Sequence, residues 1–443
     1  MKKRALPLVV GAALVVALPS TADAAPPPED PDAGPARAHD LPHPLGDKQR
    51  ALREQALEEV LRGDATPRGD NEVVEVANGQ YVELAQEDSD AIWTVLGEFS
   101  DLPHNAIPEP DRTVDNTTIW TSDFSQPYFD RLLYSSDAGV NSVANFYEEL
   151  SSGRYTVTGE VEDWVQVPGN GATYGGGDDG NKPWAFVDDS VDAWYQQQVA
   201  AGRTAADIDQ YLSQFDVWDR YDHDGDGDFD EADGYIDHFQ AVHSGMGEEV
   251  GGGALGADAI WSHRWYDQTT PIGTGGPTLD DGTPVPLGGT QVGDSRYWIG
   301  DYTVEPENGG VGVFAHEFGH DLGLPDLYDT SGNSGGAENS TAFWTLMSAA
   351  PTATAVSRPT GSAPSPSTWA PGRSCSWAGW STRSSRRARR RTPSSVRRRR
   401  APGRRRRWSP SCPTARSPRT SATRSRARTS GTPARATTST TRC

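Results

Sequence analysis

Apolar and polar positions along this 443-residue chain predict a mixture of helices and strands. Leu52, Ala56, Leu57, Val60 and Leu61 recur at helical spacing and predict one helix from Asp47 to Arg62. Ala91–Phe99 is a short, nearly unbroken apolar run, the pattern of a buried strand. Asn141–Leu150 predicts a helix that ends near Gly153, and Tyr155–Val161 with Trp164–Val167 predict two strands paired with each other. The glycine-rich 169–181 stretch reads as loop, and Pro183–Ala201 as a helix opened by proline. Tyr235–His243, Ala257–Trp265 and Trp298–Val304 read as further strands, with Glu305–Gly310 leading into another helix. The order strand, helix, strands, helix implies an α/β or α+β fold.

The two ends of the chain have a different character. Met1–Ala25 has a basic start (Lys2, Lys3, Arg4), an apolar stretch from Ala5 to Leu18, and a small-residue cleavage pattern at Ala22-Asp-Ala24. That is a secretory signal, and its apolar run is too short for a stable membrane anchor. Residues 26–88 read as either a propeptide or a flexible amino-terminal extension. Charge divides the chain more sharply. The net charge is −22, yet all 62 acidic residues precede residue 351, while 23 of the 40 basic ones follow it. So acidic a body excludes nucleic acid as a partner and suits an exported protein that loads cations. All three cysteines (Cys375, Cys412, Cys443) lie in the tail. The body therefore has no disulfide framework, no cysteine-ligated metal, and no thiolate with which residues 26–88 could cap one. Residues 351–443 lack Asp, Glu, Lys, Ile, Leu, Met, Phe and Tyr, and cannot build a packed core. They are expected to be a disordered basic tail, read out of frame from GC-rich coding DNA; a basic arm for anionic polymers is the rival reading.

Two stretches carry chemistry. His316-Glu-Phe-Gly-His320 is an HExxH pattern that continues through Gly323 to Asp326. Residues four apart share a helix face, so both imidazoles can meet one zinc ion, with Glu317 beside them as general base for an attacking water. Gly323 allows the chain to turn back and bring Asp326 round as a third ligand; Asp329 and Glu338 are rivals for that place. The second stretch, Asp222 to Asp233, offers carboxylates at Asp222, Asp224, Asp226, Asp228, Asp230 and Asp233 with glycine at its sixth position. This matches an EF-hand-type calcium loop, although position 12 is normally Glu. His238, His243 and His263 are further candidate ligands or cleft residues, more simply read as ordinary strand residues. The strand near 235–243 or 257–265 is expected to pair with an extended substrate.

Ala342–Ser348 (AFWTLMS) places Met347 where metzincin proteases carry a methionine turn beneath zinc. Together with DYTVEPENGG, HEFGHDLGLPDLYDT and DRYDHDGDGDFDEADGYIDHF, it makes residues 90–350 resemble the immune inhibitor A family of secreted zinc metalloendopeptidases. The resemblance implies a metzincin-like catalytic domain over 89–350, with a mixed twisted sheet and an active-site helix. It further implies zinc on His316, His320 and Asp326, Glu317 as general base, Met347 as the floor, stabilising Ca2+ sites, and protein or peptide substrates. The alternative of a different class is a secreted calcium-binding surface protein with an inactive or structural zinc site, for which Glu317 would have no use. The sequence carries no signal of oligomeric state.

Overall fold

The computed structural model describes residues 38–69, 71–85, 88–176, 182–279, 282–328, 330 and 345–348. The predicted signal segment, the basic tail and the rival ligands Asp329 and Glu338 lie outside the described residues.

The first helix, α1 (Pro44–Arg62), starts three residues before the expected Asp47, because proline suits a first helical turn and the His43 side chain caps it. A hairpin follows, β1 (Val74–Ala77) and β2 (Gln80–Val82). Helix and hairpin enclose a small apolar cluster of their own: Ala56, Val74, Val82 and Leu84, with Leu52, Leu57 and Val60 at its margin. The lobe is pinned to the rest of the protein by polar contacts. Trp218 Nε1 donates to Glu83 Oε2 at 2.9 Å, and Asn71 Nδ2 to Asp230 Oδ1 at 2.9 Å.

β3 (Asp88–Glu98) is the strand about which the main sheet is built. Its side chains alternate between two cores, as a strand buried on both faces must. Ile92 and Leu96 face one cluster, with Phe129 from α2 (Gln126–Tyr134), Tyr147 from α3 (Val143–Leu150), and Phe314 and Phe318. Trp93, Val95 and nearby Phe99 face the other, which also takes in Tyr174 from a short helix, α4 (Gly171–Gly175). Phe186, Val191 and Trp194 from α5 (Pro183–Ala200) and Ile208 and Leu212 from α6 (Ala205–Leu212) complete it. Gly97 is small because α5 comes close: a Cβ there would meet Phe186 Cζ at 2.6 Å.

The sheet corrects several expectations. β4 (Tyr155–Val161) and β5 (Val165–Gln166) do not pair with each other; both lie parallel to β3. β6 (Phe239–His243) is shorter than the 235–243 run, because Asp237 turns its carboxylate to the amides of Val217 and Trp218 and holds that backbone in a loop. β7 is His263–Tyr266 alone; the first two residues of the expected run, Ala257 and Asp258, belong to a turn of 3-10 helix (Gly256–Asp258). After the short β8 (Thr290–Gln291), Gly300 separates β9 (Trp298–Ile299) from β10 (Asp301–Pro306), which takes in Glu305 and Pro306 of the expected linker. α4 likewise lies inside an expected loop, capped by the Asn170 side chain. The order is β4-β3-β6-β10-β7, parallel as far as β10, with β7 antiparallel at the edge. The fold is thus mixed α/β with a mixed sheet. β6 is interior, and on that side the named strands end at β7, whose Arg264 forms a parallel bridge with Asp40.

Glu83 is almost fully buried, and burial raises its carboxyl from the ordinary range to about 8. An acid whose folded pKa is raised binds its proton more tightly folded than unfolded. Its ionisation therefore costs stability progressively as pH rises from about 4.5 to about 8. We expect Glu83→Gln to gain stability relative to the parent over that window and to hold the gain above it, read from thermal midpoints across pH; parallel curves would contradict this.

Candidate metal centre

The last helix, α7 (Val311–Asp321), is buried along its whole length. It carries His316, Glu317 and His320, and the way it ends makes the site. Gly323, at φ 86°, passes its N–H to His320 O at 2.8 Å, while Leu324 N–H reaches Gly319 O at 2.9 Å. This is a Schellman turn, and it needs a residue content with positive φ. It folds the chain back so that Leu324 O accepts from His320 Nδ1 at 2.7 Å. Two residues further on, Asp326 Oδ1 stands 3.1 Å from His320 Nε2 and 3.5 Å from His316 Nε2.

The ring orientations decide what the site can hold. His316 Nδ1 donates to Leu346 O at 2.8 Å, as His320 Nδ1 does to Leu324 O. A carbonyl only accepts, so both Nδ1 atoms carry hydrogen and both neutral rings present Nε2 as a lone pair. Those two nitrogens face each other at 3.0 Å, and Asp326 Oδ1 beside them makes no hydrogen bond. Three acceptors converging in the interior with no donor between them call for a cation, and two imidazoles with one carboxylate suit zinc. The carbonyls behind the rings supply the outer shell such sites require. Burial lowers the His316 pKa, in keeping with a neutral ring. The neighbouring Asp326 and Glu317 outweigh burial at His320 and raise it. The His316 and His320 imidazoles hold Asp326 well below the usual carboxylate range, against its burial.

Met347 is 3% exposed and lies beneath α7, where a Cβ on Gly319 would come within 2.9 Å of its Sδ. Its backbone O accepts from Leu327 N–H, which ties the methionine segment to the turn bearing Asp326. Glu317 is fully buried; burial raises it to about 8, and its Oε2 has no partner.

Its Oε1 is taken by a residue that sequence reasoning missed: His39 Nδ1 lies 2.6 Å away. The His39 ring also stands 4.8 Å from that of His316, centroid to centroid, and its backbone N–H donates to Asp326 Oδ2 at 3.0 Å. Residue 39 belongs to a Pro- and Ala-rich stretch without periodicity, and no sequence pattern there marks a contact to the site. The other histidines stay out of it. His238 bonds to Asp321 behind α7, His243 to Ser244 O, and His263 to Trp261 O and the Tyr302 hydroxyl.

In the acidic loop, the structure draws Asp222, Asp224 and Asp226 together, with one oxygen of each within 4.8 Å of the others. Asp228, Asp230 and Asp233 are not part of that triad. Asp228 and Asp233 accept amides two residues on, from Asp230 and Tyr235, and Asp230 takes the Asn71 side chain. Burial raises the Asp222 pKa, and the like charges of Asp224 and Asp226 add to it.

A mixed sheet beneath a buried HExxH helix, with a carboxylate returned by the turn after it, defines a class: the catalytic domain of a metallopeptidase. Residues 78–378 match the family model of the immune inhibitor A peptidase M6 catalytic domain. The chain is 40% identical over 257 residues to immune inhibitor A of Bacillus thuringiensis subsp. alesti, an alignment covering 54% of this chain and 34% of that protein. Against the pre-pro-metalloprotease PrtV of Vibrio cholerae serotype O1 it is 34% identical over 274 residues, covering 60% of this chain and 28% of that protein. The matched region therefore spans only about a third of these relatives' length. This chain belongs to the immune inhibitor A peptidase M6 family. Membership implies zinc, in agreement with the donor set above.

A buried charge network holds α7 from behind. Asp321 meets Arg220 Nη2 at 3.0 Å and the His238 ring, and Arg264 pairs with Asp301. Removing one partner of a buried pair leaves the others uncompensated. Asp321→Ala should therefore cost about 3–5 kcal/mol, read as a drop in the denaturation midpoint; a loss below about 1 kcal/mol, the range of an exposed pair, would contradict a buried network.

Proposed function

We propose that this chain is a secreted zinc-dependent endopeptidase that hydrolyses protein or peptide substrates, its catalytic domain lying over residues 89–350. The observation that carries the proposal is the convergence of His316 Nε2, His320 Nε2 and Asp326 Oδ1 beside an otherwise unoccupied carboxylate oxygen of Glu317. These three residues are the proposed ligands, and zinc held by them would polarise the scissile carbonyl and acidify an attacking water. Glu317 takes the proton from that water and returns it to the leaving amine. Burial keeps Glu317 out of bulk water and raises its carboxyl, which favours its accepting a proton. Met347 supports the helix from below. The edge of β7 offers backbone groups to an extended substrate, a role closed to interior β6. Export rests on the amino-terminal signal pattern, and among the described residues no helix is long and apolar enough to cross a membrane.

The test is casein cleavage by the purified chain, assayed before and after nicking with trypsin at exposed Arg62 or Arg68. Cleavage should be abolished by a zinc chelator. It should also be lost in Glu317→Ala, whose zinc content stays unchanged; an active Glu317→Ala would overturn the assigned role.

We further propose that the loop from Asp222 to Asp233 binds calcium, with Asp222, Asp224 and Asp226 at its centre. No Lys or Arg lies between Arg220 and Arg264, so that stretch brings no permanently cationic side chain to the triad. Calcium at about a hundred times its Kd should then add about 2.7 kcal/mol of stability. Thermal unfolding with calcium and with a calcium chelator reads this directly, and Asp224→Ala should abolish the difference. Identical melting curves in the parent chain would contradict the proposal.

A further inference from the structure

The loop between β6 and β7, residues 244–262, carries a carboxylate to the metal centre. It returns along its own outer arm, where Glu248 N–H donates to Ile260 O at 3.0 Å. Glycine holds its tip tight. Gly251, Gly252 and Gly253 have φ of 91°, 66° and 53°, Gly252 N–H donates to Gly247 O at 2.8 Å, and a Cβ on Gly252 would collide with Gly256 O. Glu249 is thereby presented in one place. It is partly exposed, and both its oxygens grip the approach to β7: Ser262 Oγ donates to Oε1 at 2.8 Å and Ser262 N–H to Oε2 at 3.3 Å. A carboxylate oxygen accepts more than one hydrogen bond, so each keeps room for a further donor.

Three observations put that carboxylate in the cleft. Trp261, next to Ser262, donates its indole N–H to His39 Nε2 at 3.2 Å, and His39 Nδ1 lies 2.6 Å from Glu317 Oε1. Burial lowers the His39 pKa to about 4, while the charges of Asp326 and Glu249 pull it the other way. Glu305 is fully buried with Oε2 unpartnered; burial raises its carboxyl, and Glu317 and Glu249 add to the rise. The space beside the metal centre is thus walled by carboxylates. Among the described residues no lysine or arginine pairs with Glu249. Arg264, two residues beyond Ser262, is committed to Asp301 and Asp321.

We infer that Glu249 is a specificity-determining residue, whose carboxylate receives a lysine or arginine side chain of the substrate close to the scissile bond. The inference rests on the zinc-peptidase reading and narrows it to a substrate class. An ammonium or guanidinium brings donors and countercharge together, and relieves a carboxyl that burial raises. An acidic side chain in the same place would meet Glu249, Glu305 and Glu317 as like charges. Backbone pairing along β7 would hold the peptide, and Glu249 would read one of its side chains.

The probes are alanine–glycine octapeptides with one central Lys, Leu or Glu, offered to the full-length chain after nicking by immobilised trypsin, which is then removed. Binding is titrated on zinc-loaded Glu317→Ala, which leaves the peptides uncut, and cleavage by the parent is followed by mass spectrometry. The Lys peptide should bind about tenfold or more tightly than the Leu peptide, the worth of one charge-assisted hydrogen bond, and the Glu peptide should bind worst. With Glu249→Gln added, the Lys-to-Leu ratio should fall towards one, and with Glu249→Arg it should invert in favour of Glu; a change that merely loosened the loop would weaken all three peptides alike. Cleavage of all three at equal rates with equal affinities would overturn the role given to Glu249 and leave the peptidase reading standing. A Lys preference in binding without any cleavage by the parent would overturn the peptidase reading and leave the subsite. A Lys preference that survives Glu249→Gln would assign it to another residue and overturn the inference.

Discussion

Two imidazole lone pairs face each other at 3.0 Å inside this protein, and no protein donor lies between them. Left alone, that arrangement would be costly, since buried acceptors without donors forfeit their hydration. The surrounding structure makes sense as the means of holding it. The carbonyls of Leu324 and Leu346 fix the two rings from behind. One carbonyl belongs to the turn that ends α7 and the other to the methionine segment, and Leu327 N–H joins those segments through Met347 O. A single cation between His316, His320 and Asp326 would relieve all three acceptors together. Metal bound there would therefore stabilise the fold of this corner as well.

The rest of the domain supplies rigidity. α7 packs one face against the cluster that includes Ile92, Leu96, Phe129 and Tyr147, and the Tyr147 hydroxyl donates to Ala315 O within the helix. On its polar side Asp321, Arg220, His238, Arg264 and Asp301 form a buried charge network. Arg264 also contacts Asp40 and His43, so the network that steadies the helix also receives the amino-terminal segment. Helix, edge strand and amino-terminal segment thus meet at one arginine.

The candidate site was legible because its information is local. HExxH spacing follows from helix geometry, and Gly323 three residues on predicts a reversal that brings back a nearby carboxylate. The mixed α/β character was legible from the same kind of periodicity, as was α5 to within one residue. What escaped was long-range. Nothing in Tyr155–Val167 reveals that its two strands both align with β3, a partner more than sixty residues earlier. The carboxylate of Asp237 removes residues from an apparent strand by binding amides twenty positions away. His39 lies 278 residues from Glu317, in a stretch with no periodic signal, so only the folded chain brings them together. In the acidic loop the spacing of carboxylates was plain, but which three would converge depends on backbone turns at Gly225 and Gly227 that spacing does not specify.

The most direct measurement is anomalous diffraction at the zinc edge from crystals of the full chain. The account predicts one strong peak bounded by His316 Nε2, His320 Nε2 and Asp326 Oδ1. Crystals grown with zinc that show no peak there, or zinc held only by other residues, would contradict it.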